Sequence, residues 1–221
     1  MKALQSSDRL TLPQRAAAAR ICYALEEPGA VVLLCGPGGV GKSTVLSHVA
    51  ECLRGQSRTV RRCGLDDARD LIAGGDLREP GADTLLVDDA HLAGNGELGR
   101  LVGRCRSGLA PGRVVLAGEG RLFTLVARDA RLEQVVRLRA TLPPFSLDES
   151  TLLLEPALAA TGTAGNRDAV ARCVHEIAAG IPENVRRLAE TITVFAEAHP
   201  NHVVVPDDIE TMHRRLAVNA A

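Results

Sequence analysis

The run Gly36-Pro37-Gly38-Gly39-Val40-Gly41-Lys42-Ser43-Thr44 sets four residues between one glycine and a second that is followed by Lys-Ser. That spacing suits phosphate chemistry. Glycines let the backbone turn tightly and aim successive amides at phosphate oxygens with no Cβ in the way. Lys42 is placed to reach the outer phosphates, and the Ser43 hydroxyl to bind magnesium. The lysine is itself informative, because of the 26 Lys and Arg residues only Lys2 and Lys42 are lysine. Everywhere else a planar guanidinium serves; position 42 takes a compact ammonium, which suits closely packed phosphate oxygens.

A second group of chemical residues ends the apolar run Leu85-Leu86-Val87-Asp88-Asp89. Ligands of open α/β sheets gather at the C-terminal edges of the strands, so Asp88 is expected to hold magnesium through water. Asp89 is expected to face the terminal phosphate, where a carboxylate orients and deprotonates an attacking water. The bland alternative is a solvated Asp-Asp turn. The candidate cofactors are thus ATP and Mg2+, with residues 36–44 binding the nucleotide and Ser43 and Asp88 the metal. Lys42 and Asp89 are the first catalytic candidates.

These residues need elements to position them. Ala30 to Cys35 reads as a buried strand leading into the loop, and Val45, Leu46, Val49 and Leu53 recur at helical spacing after it. The loop amides would therefore sit at a helix N-terminus. Four more apolar, β-branched runs follow at 58–62, 84–87, 113–117 and 135–138. Continuous apolar strands alternating with helices predict a parallel sheet covered on both faces. Helices are expected over 66–73 and 121–127 and along the face Leu98, Leu101, Val102 and Cys105. An N-terminal helix over 13–26 would open at Thr11 or Leu12 and stop at Pro28-Gly29.

Beyond Leu142-Pro143-Pro144-Phe145-Ser146 the strand-like runs cease, which divides the chain into an α/β nucleotide-binding domain, 10–145, and an all-α domain, 146–221. The second is expected to hold four helices: 148–160; one capped by Asn166 with Val170, Val174 and Ile177 inward; one after Gly180-Ile181-Pro182 with Val185, Leu188, Ile192 and Phe195 inward; and one opened by Pro206-Asp207-Asp208 with Ile209, Met212 and Leu216 inward.

With 46% hydrophobic and 24% charged residues in 221, the composition is that of a soluble globular chain with one sizeable core and an appendage. Its apolar runs are too short to span a bilayer and no signal-peptide pattern opens it, so no membrane segment and a cytoplasmic location are expected. The six cysteines show no CxxC pairing and read as reduced, mostly buried thiols. A net charge of −1 and a pI of about 6.6 give the whole molecule no electrostatic footprint for nucleic acid. Arginines between 121 and 139 read as a solvated face, and the four aromatics, Tyr23, Phe123, Phe145 and Phe195, make no stacking platform.

Taken in order, Thr11 to Glu26, the loop at 36–44, Leu85 to Leu92, Val115 to Leu122, Leu142 to Ser146 and Gly180-Ile181-Pro182 resemble the landmarks of AAA+ ATPases of the general secretion pathway protein A type, and transposition helper ATPases share much of that pattern. The resemblance covers roughly residues 10 to 217. It implies a P-loop module with a five-stranded parallel sheet in the order 5-1-4-3-2 and a helical lid. It also implies activity as a homo-oligomer with ATP at subunit junctions, in secretion- or transposition-type assembly on a protein partner the sequence does not name.

Departures from the family matter as much as the matches. Asp89 stands where the family has Glu, shorter by about 1.5 Å, a displacement that slows hydrolysis on the order of 10²-fold unless the backbone compensates. Glu119 stands where Gln is common, so it is expected to point away from the phosphates or to need a cation such as Arg121. Glu183 occupies the expected lid-arginine position, with Arg186 one turn on as the substitute. Val135 occupies the place of the trans-acting arginine, leaving Arg128 or Arg131 as candidates, Arg131 being the one taken forward. His91, in Asp88-Asp89-Ala90-His91, is expected to pack behind the strand end rather than bind metal.

Two readings follow: an ATP-hydrolysing motor or switch, and an ATP-dependent binding switch with very slow or no hydrolysis. A small-molecule kinase lacks its arginine-rich flap here, and a GTPase its Asn-Lys-x-Asp motif. Direct DNA binding stays open and is expected to be weak at physiological salt.

Overall fold

Every apolar run singled out above becomes a strand. The computed structural model describes residues 10–73, 82–107, 112–161 and 165–218. In chain order the N-terminal part holds α1 (Leu12–Ala24), β1 (Val31–Cys35), α2 (Lys42–Gly55), β2 (Val60–Cys63), α3 (Leu65–Ala73), β3 (Thr84–Val87), a 3-10 turn (Ala90–Leu92), α4 (Glu97–Arg106), β4 (Arg113–Gly118), α5 (Arg121–Ala127), α6 (Ala130–Val135) and β5 (Val136–Thr141). The sheet runs β2-β3-β4-β1-β5 with every pair parallel, the expected 5-1-4-3-2 order.

Strand alternation splits the core in two. Val31, Leu33 and Cys35 join Leu85, Val87, Val114 and Leu116 in one cluster with Leu98, Leu101 and Val102 of α4 and Leu122 and Val126 of α5. Val32 and Leu34 therefore face the other way. The helices packed together there, α1 and α2, bury Ile21, Val45, Leu46, Val49 and Leu53. β1 and β3 are buried along their whole length, as central strands of a covered parallel sheet must be. β5 is an edge, and it alternates inward Val136, Leu138 and Ala140 with outward arginines. Arg137 pairs with Glu27, and Arg139 with Glu133 at 2.5 Å, charges that discourage a foreign strand from adding there.

Several boundaries shift by one to three residues, and three of the shifts have a local cause. α1 stops at Ala24 and not at Glu26, because the Glu26 amide turns back to the Tyr23 carbonyl at 3.1 Å, tightening the last turn. β2 starts at Val60 and not Arg58: left-handed Ser57 (φ 61°) ends α2, and the Arg58 guanidinium goes instead to Asp83 and to Thr84 Oγ1, at 3.4 and 3.1 Å. β5 starts one residue late because Asp129 caps a short helix that sequence periodicity missed; its carboxylate accepts the amides of Arg131 and Leu132 at 3.1 and 3.2 Å.

The elements described in the C-terminal part are all helices: α7 (Leu147–Ala160), α8 (Arg167–Ala178), α9 (Pro182–Ala198) and α10 (Pro206–Val218). Leu154, Val170, Val174, Val185, Leu188, Ile192, Ile209 and Met212 share one core. The Leu216 side chain lies outside the described residues. Ser146 and Glu149 form a reciprocal capping box at the start of α7, amide to side chain at 2.9 and 3.2 Å. Asn166 does stand at the N-cap of α8, yet with φ −122° and ψ 8° its side chain makes no cap hydrogen bond. Gly180 is fixed by geometry: its φ is +66°, a Cβ would lie 2.5 Å from the Phe145 carbonyl oxygen, and its own carbonyl accepts the Phe145 amide at 2.7 Å.

Contacts divide the chain into two compact units, Met1–Pro37 with Gly41–Pro143, and Gly38–Val40 with Pro144–Ala221. All six cysteines are free, with Cys35, Cys63 and Cys105 buried. Among the described residues no helix is long and apolar enough to cross a membrane.

Candidate functional site

β1 delivers the chain to the loop, and the first loop residue is tied back to the sheet by Gly36 N–H donating to the Gly118 carbonyl at 3.2 Å. Gly39 and Gly41 then take φ of +73° and +97°, values an L side chain rarely adopts. Gly41 is constrained twice, because a Cβ there would lie 2.5 Å from Gln14 Nε2 of α1. The first helical bond of α2 runs from the Val45 amide to the Gly41 carbonyl at 3.0 Å. The amides of Lys42, Ser43 and Thr44 precede it, so they stand at the positive end of the helix with no intrahelical partner.

Lys42 is 7% exposed. Its ammonium donates to the Gly36 carbonyl at 3.0 Å and the Pro37 carbonyl at 2.8 Å. An ammonium has three donors, so two hold it over the loop and one remains for a ligand oxygen. Ser43 Oγ donates to Asp88 Oδ2 at 2.7 Å, across 45 residues of sequence. That direction matters: the serine proton goes to the carboxylate, and the oxygen lone pairs stay available to a cation. Asp88 is positioned by its own amide, which extends the β2–β3 ladder by bonding the Cys63 carbonyl at 2.9 Å.

Asp89 leaves the sheet in the left-handed region, φ 54° and ψ 27°, where Asp is among the few non-glycine residues tolerated. Its carbonyl accepts the Leu92 amide at 3.0 Å and starts the 3-10 turn. Among the described residues no hydrogen bond or ion pair holds its exposed carboxylate. The turn packs against the end of β4, where a Cβ on Gly118 would meet the His91 amide nitrogen at 2.9 Å. Arg121 fastens the turn from the other side, donating to the carbonyls of His91 at 2.9 Å and Ala93 at 3.2 Å.

Glu119 is therefore not neutralised by Arg121. Its carboxylate faces His91 instead, Oε1 to Nε2 at 3.9 Å, while His91 Nδ1 is buried without a partner among the described residues. Past the turn, Glu97 accepts from the Gly94 amide at 2.6 Å and from Arg69 Nε at 2.9 Å. Burial works against its charge, yet these two donors together hold the carboxyl below the usual range.

Ser43 and Asp88 form the metal candidate. Among the described residues no three His, Cys, Asp or Glu side chains gather into a metal cage. A magnesium ion that takes one or two protein oxygens and completes its shell with phosphate and water fits such a pair. The remaining candidates are not drawn into this network. Arg131 on α6 and Arg128 after α5 are exposed. Arg186 on α9 faces Glu190 one turn on, at 3.9 Å, with both side chains largely in water. Glu183 stands in the first turn of that helix, where a carboxylate complements the helix dipole.

Three residues of the network were not read in the role they take. Gln14, within the first stretch of the resemblance, is buried against Gly41, and its Oε1 accepts the Thr11 amide at 3.1 Å in the Thr-x-x-Gln spacing that marks a helix start. Arg121 was read as a counter-charge and serves as a carbonyl clamp. Arg62 of β2 donates through NH2 to Asp88 Oδ2 at 3.0 Å and through NH1 to Ser47 Oγ at 2.6 Å, and it belongs to no motif.

No family model matches the sequence, and no match is found among the curated proteins. Solved structures do match. A Thermotoga maritima RuvB Holliday junction branch migration motor superposes with a TM-score of 0.65 at 18% identity, over 92% of this chain and 69% of that one. The ORC2 protein of Aeropyrum pernix, solved in ADPNP and ADP complexes, gives 0.56 at 15% identity over 91% and 66%. A DNA replication initiation factor gives 0.56 at 16% identity over 86% and 62%. At these identities the likeness speaks for the architecture, and with the parallel sheet order and the glycine loop at the head of α2 it shows that the chain has the P-loop α/β fold of these structures, a five-stranded parallel sheet flanked by helices.

Proposed function

We propose that this chain binds Mg2+ and ATP at the β1–α2 loop and the end of β3, and hydrolyses ATP slowly as an oligomeric switch acting on a protein partner. The observation that carries the reading is one constellation: a buried ammonium held over the loop by the Gly36 and Pro37 carbonyls, beside a Ser43 hydroxyl bonded to Asp88. In it, residues 36–44 hold the phosphates through backbone amides, and Lys42 neutralises the outer ones. Ser43 and Asp88 would hold magnesium, which would supply charge stabilisation at the transferred phosphoryl group. Asp89 orients and deprotonates the water.

Slow turnover follows from the second half of the site. The Asp89 carboxylate is short, projects from a left-handed residue and lacks a hydrogen-bonded frame among the described residues, whereas catalytic groups act best when held within about half an ångström of their working position. Glu119 beside His91 takes the role of phosphate sensor only indirectly, and Arg131 and Arg186 are the proposed trans-acting and lid arginines. The 10–145 and 146–221 division and a cytoplasmic setting belong to the same proposal. The branch-migration motor and the replication factor are DNA machines by name, which supports a nucleic-acid-linked process as the second reading. The near-neutral charge makes a protein adaptor the better intermediary.

Calorimetric titration of ATP and of GTP with Mg2+, paired with phosphate release by wild type and Asp89→Glu, tests this. ATP preference, slow wild-type release and a many-fold gain in Asp89→Glu are expected. Rapid wild-type turnover would sink the slow-switch reading, and absence of nucleotide binding the whole proposal.

A further inference from the structure

Asp88 is shared between two donors on the same oxygen. Oδ2 accepts from Ser43 Oγ at 2.7 Å and from Arg62 NH2 at 3.0 Å. Arg62 reaches it from β2, where it sits opposite Leu86, so its place is fixed by the β2–β3 register. The guanidinium has a second anchor: NH1 donates to Ser47 Oγ at 2.6 Å, and that hydroxyl donates in turn to the Ser43 carbonyl at 2.9 Å. Ser47 lies four residues after Ser43, hence one turn further along the same face of α2. A planar fork thus straps the strand end to the first turn of α2, with one prong on the carboxylate and the other on a neutral hydroxyl.

We infer that Arg62 is a tethered counter-cation for Asp88, which sets how much Mg2+ the site needs before it accepts a metal-bound nucleotide. The inference rests on the reading of Ser43 and Asp88 as the metal pair. With the metal absent, Arg62 supplies the positive charge that a carboxylate only 13% exposed requires. With the metal present, the guanidinium is a like charge at close range, only partly screened because its own side chain is 34% exposed. Ser47 gives it somewhere to stay: Arg62 releases Oδ2 and keeps the hydroxyl, so the strap loosens without leaving α2.

A purely structural strap would behave differently, since it depends on hydrogen bonds and length and not on charge. Arg62→Gln keeps a donor and removes the charge; Arg62→Lys keeps the charge and loses the fork. Mg2+ is titrated against a fixed, sub-saturating concentration of a fluorescent ATP analogue for wild type and both variants, and melting temperatures are taken in EDTA and in Mg2+. The half-saturating Mg2+ concentration is expected to fall about tenfold in Arg62→Gln and to stay within about twofold of wild type in Arg62→Lys. Arg62→Gln should also melt lower than wild type in EDTA and regain that difference in Mg2+. An unchanged or raised Mg2+ requirement in Arg62→Gln, or the same fall in both variants, overturns the inference while leaving the nucleotide site standing. Failure of wild type to bind the analogue at any Mg2+ concentration overturns both together.

Discussion

The loop between β1 and α2 and the strand end after β3 meet through the Ser43–Asp88 hydrogen bond and are built by opposite means. In the loop, backbone does the holding: two left-handed glycines, a helix start with open amides, and carbonyls that fix the one reactive side chain. At the strand end, side chains do it: Asp88 is shared by Ser43 and Arg62, Arg121 clamps two carbonyls, and Asp89 extends unsupported. Backbone geometry tolerates few substitutions and recurs as a motif. Side-chain networks are exchangeable, and that is where this sequence departs from the pattern it resembles.

The sharpest way to break the contrast is Lys42→Ala. Nothing else in the loop supplies a mobile positive charge, so nucleotide affinity should drop by two orders of magnitude or more. Two carbonyls lose their donor at a cost of about 1 to 3 kcal/mol. Fluorescence titration and thermal melting check both; near-wild-type affinity would mean that the ammonium does not serve phosphate.

Asp89→Asn should act on the other half alone. Turnover is expected to fall about 10²-fold with nucleotide affinity within a factor of two, because a general base contributes mainly in the transition state. Asp89→Gly gives the complementary result: the same loss of turnover with about 1 kcal/mol of added stability, since glycine relieves the left-handed strain. Denaturant melts alongside phosphate release would show it, and a destabilised Asp89→Gly would place the strain elsewhere.

Gly41→Ala probes the loop without touching charge. With φ at +97° and a Cβ 2.5 Å from Gln14 Nε2, the change should destabilise by about 2 kcal/mol and loosen nucleotide binding severalfold. Truncating the neighbour in Gly41→Ala/Gln14→Ala should recover part of the stability, by removing the clash but not the φ penalty. No recovery would show that Gln14 does not limit the loop.

The same contrast governs what the sequence made legible. The loop was readable because its glycines are demanded by φ, and the sheet because central strands are apolar on both faces; each leaves a fixed pattern of residue types. Arg62 left none, since one arginine among 24 in a half-buried strand looks like any other until the β2–β3 register sets it against Asp88. The partner expected for Glu119, Arg121, is engaged elsewhere, because sequence spacing does not reveal that the 3-10 turn brings His91 beside it. The helix before β5 escaped because its six residues are too few for periodicity; Asp129 was the available signal.

The smallest expected difference compares the two regions through their buried thiols. Cys35 ends β1 just before the loop, and Cys63 ends β2 beside the strand that carries Asp88; burial pushes both from 9.0 up to about 11. A raised thiol pKa means the fold favours the neutral form, so this contribution is complete below pH 9 and is lost as pH climbs through 11. At pH 8 both should resist iodoacetamide, which attacks through the thiolate. β1 is central and β2 an edge, so local opening should expose Cys63 first, with labelling a few-fold to tenfold faster than at Cys35 by peptide mass spectrometry. Saturating nucleotide should slow Cys63 more, because the strand end has more order to gain. Faster labelling at Cys35 would reverse the comparison and make the loop, for all its backbone constraint, the looser half of the site.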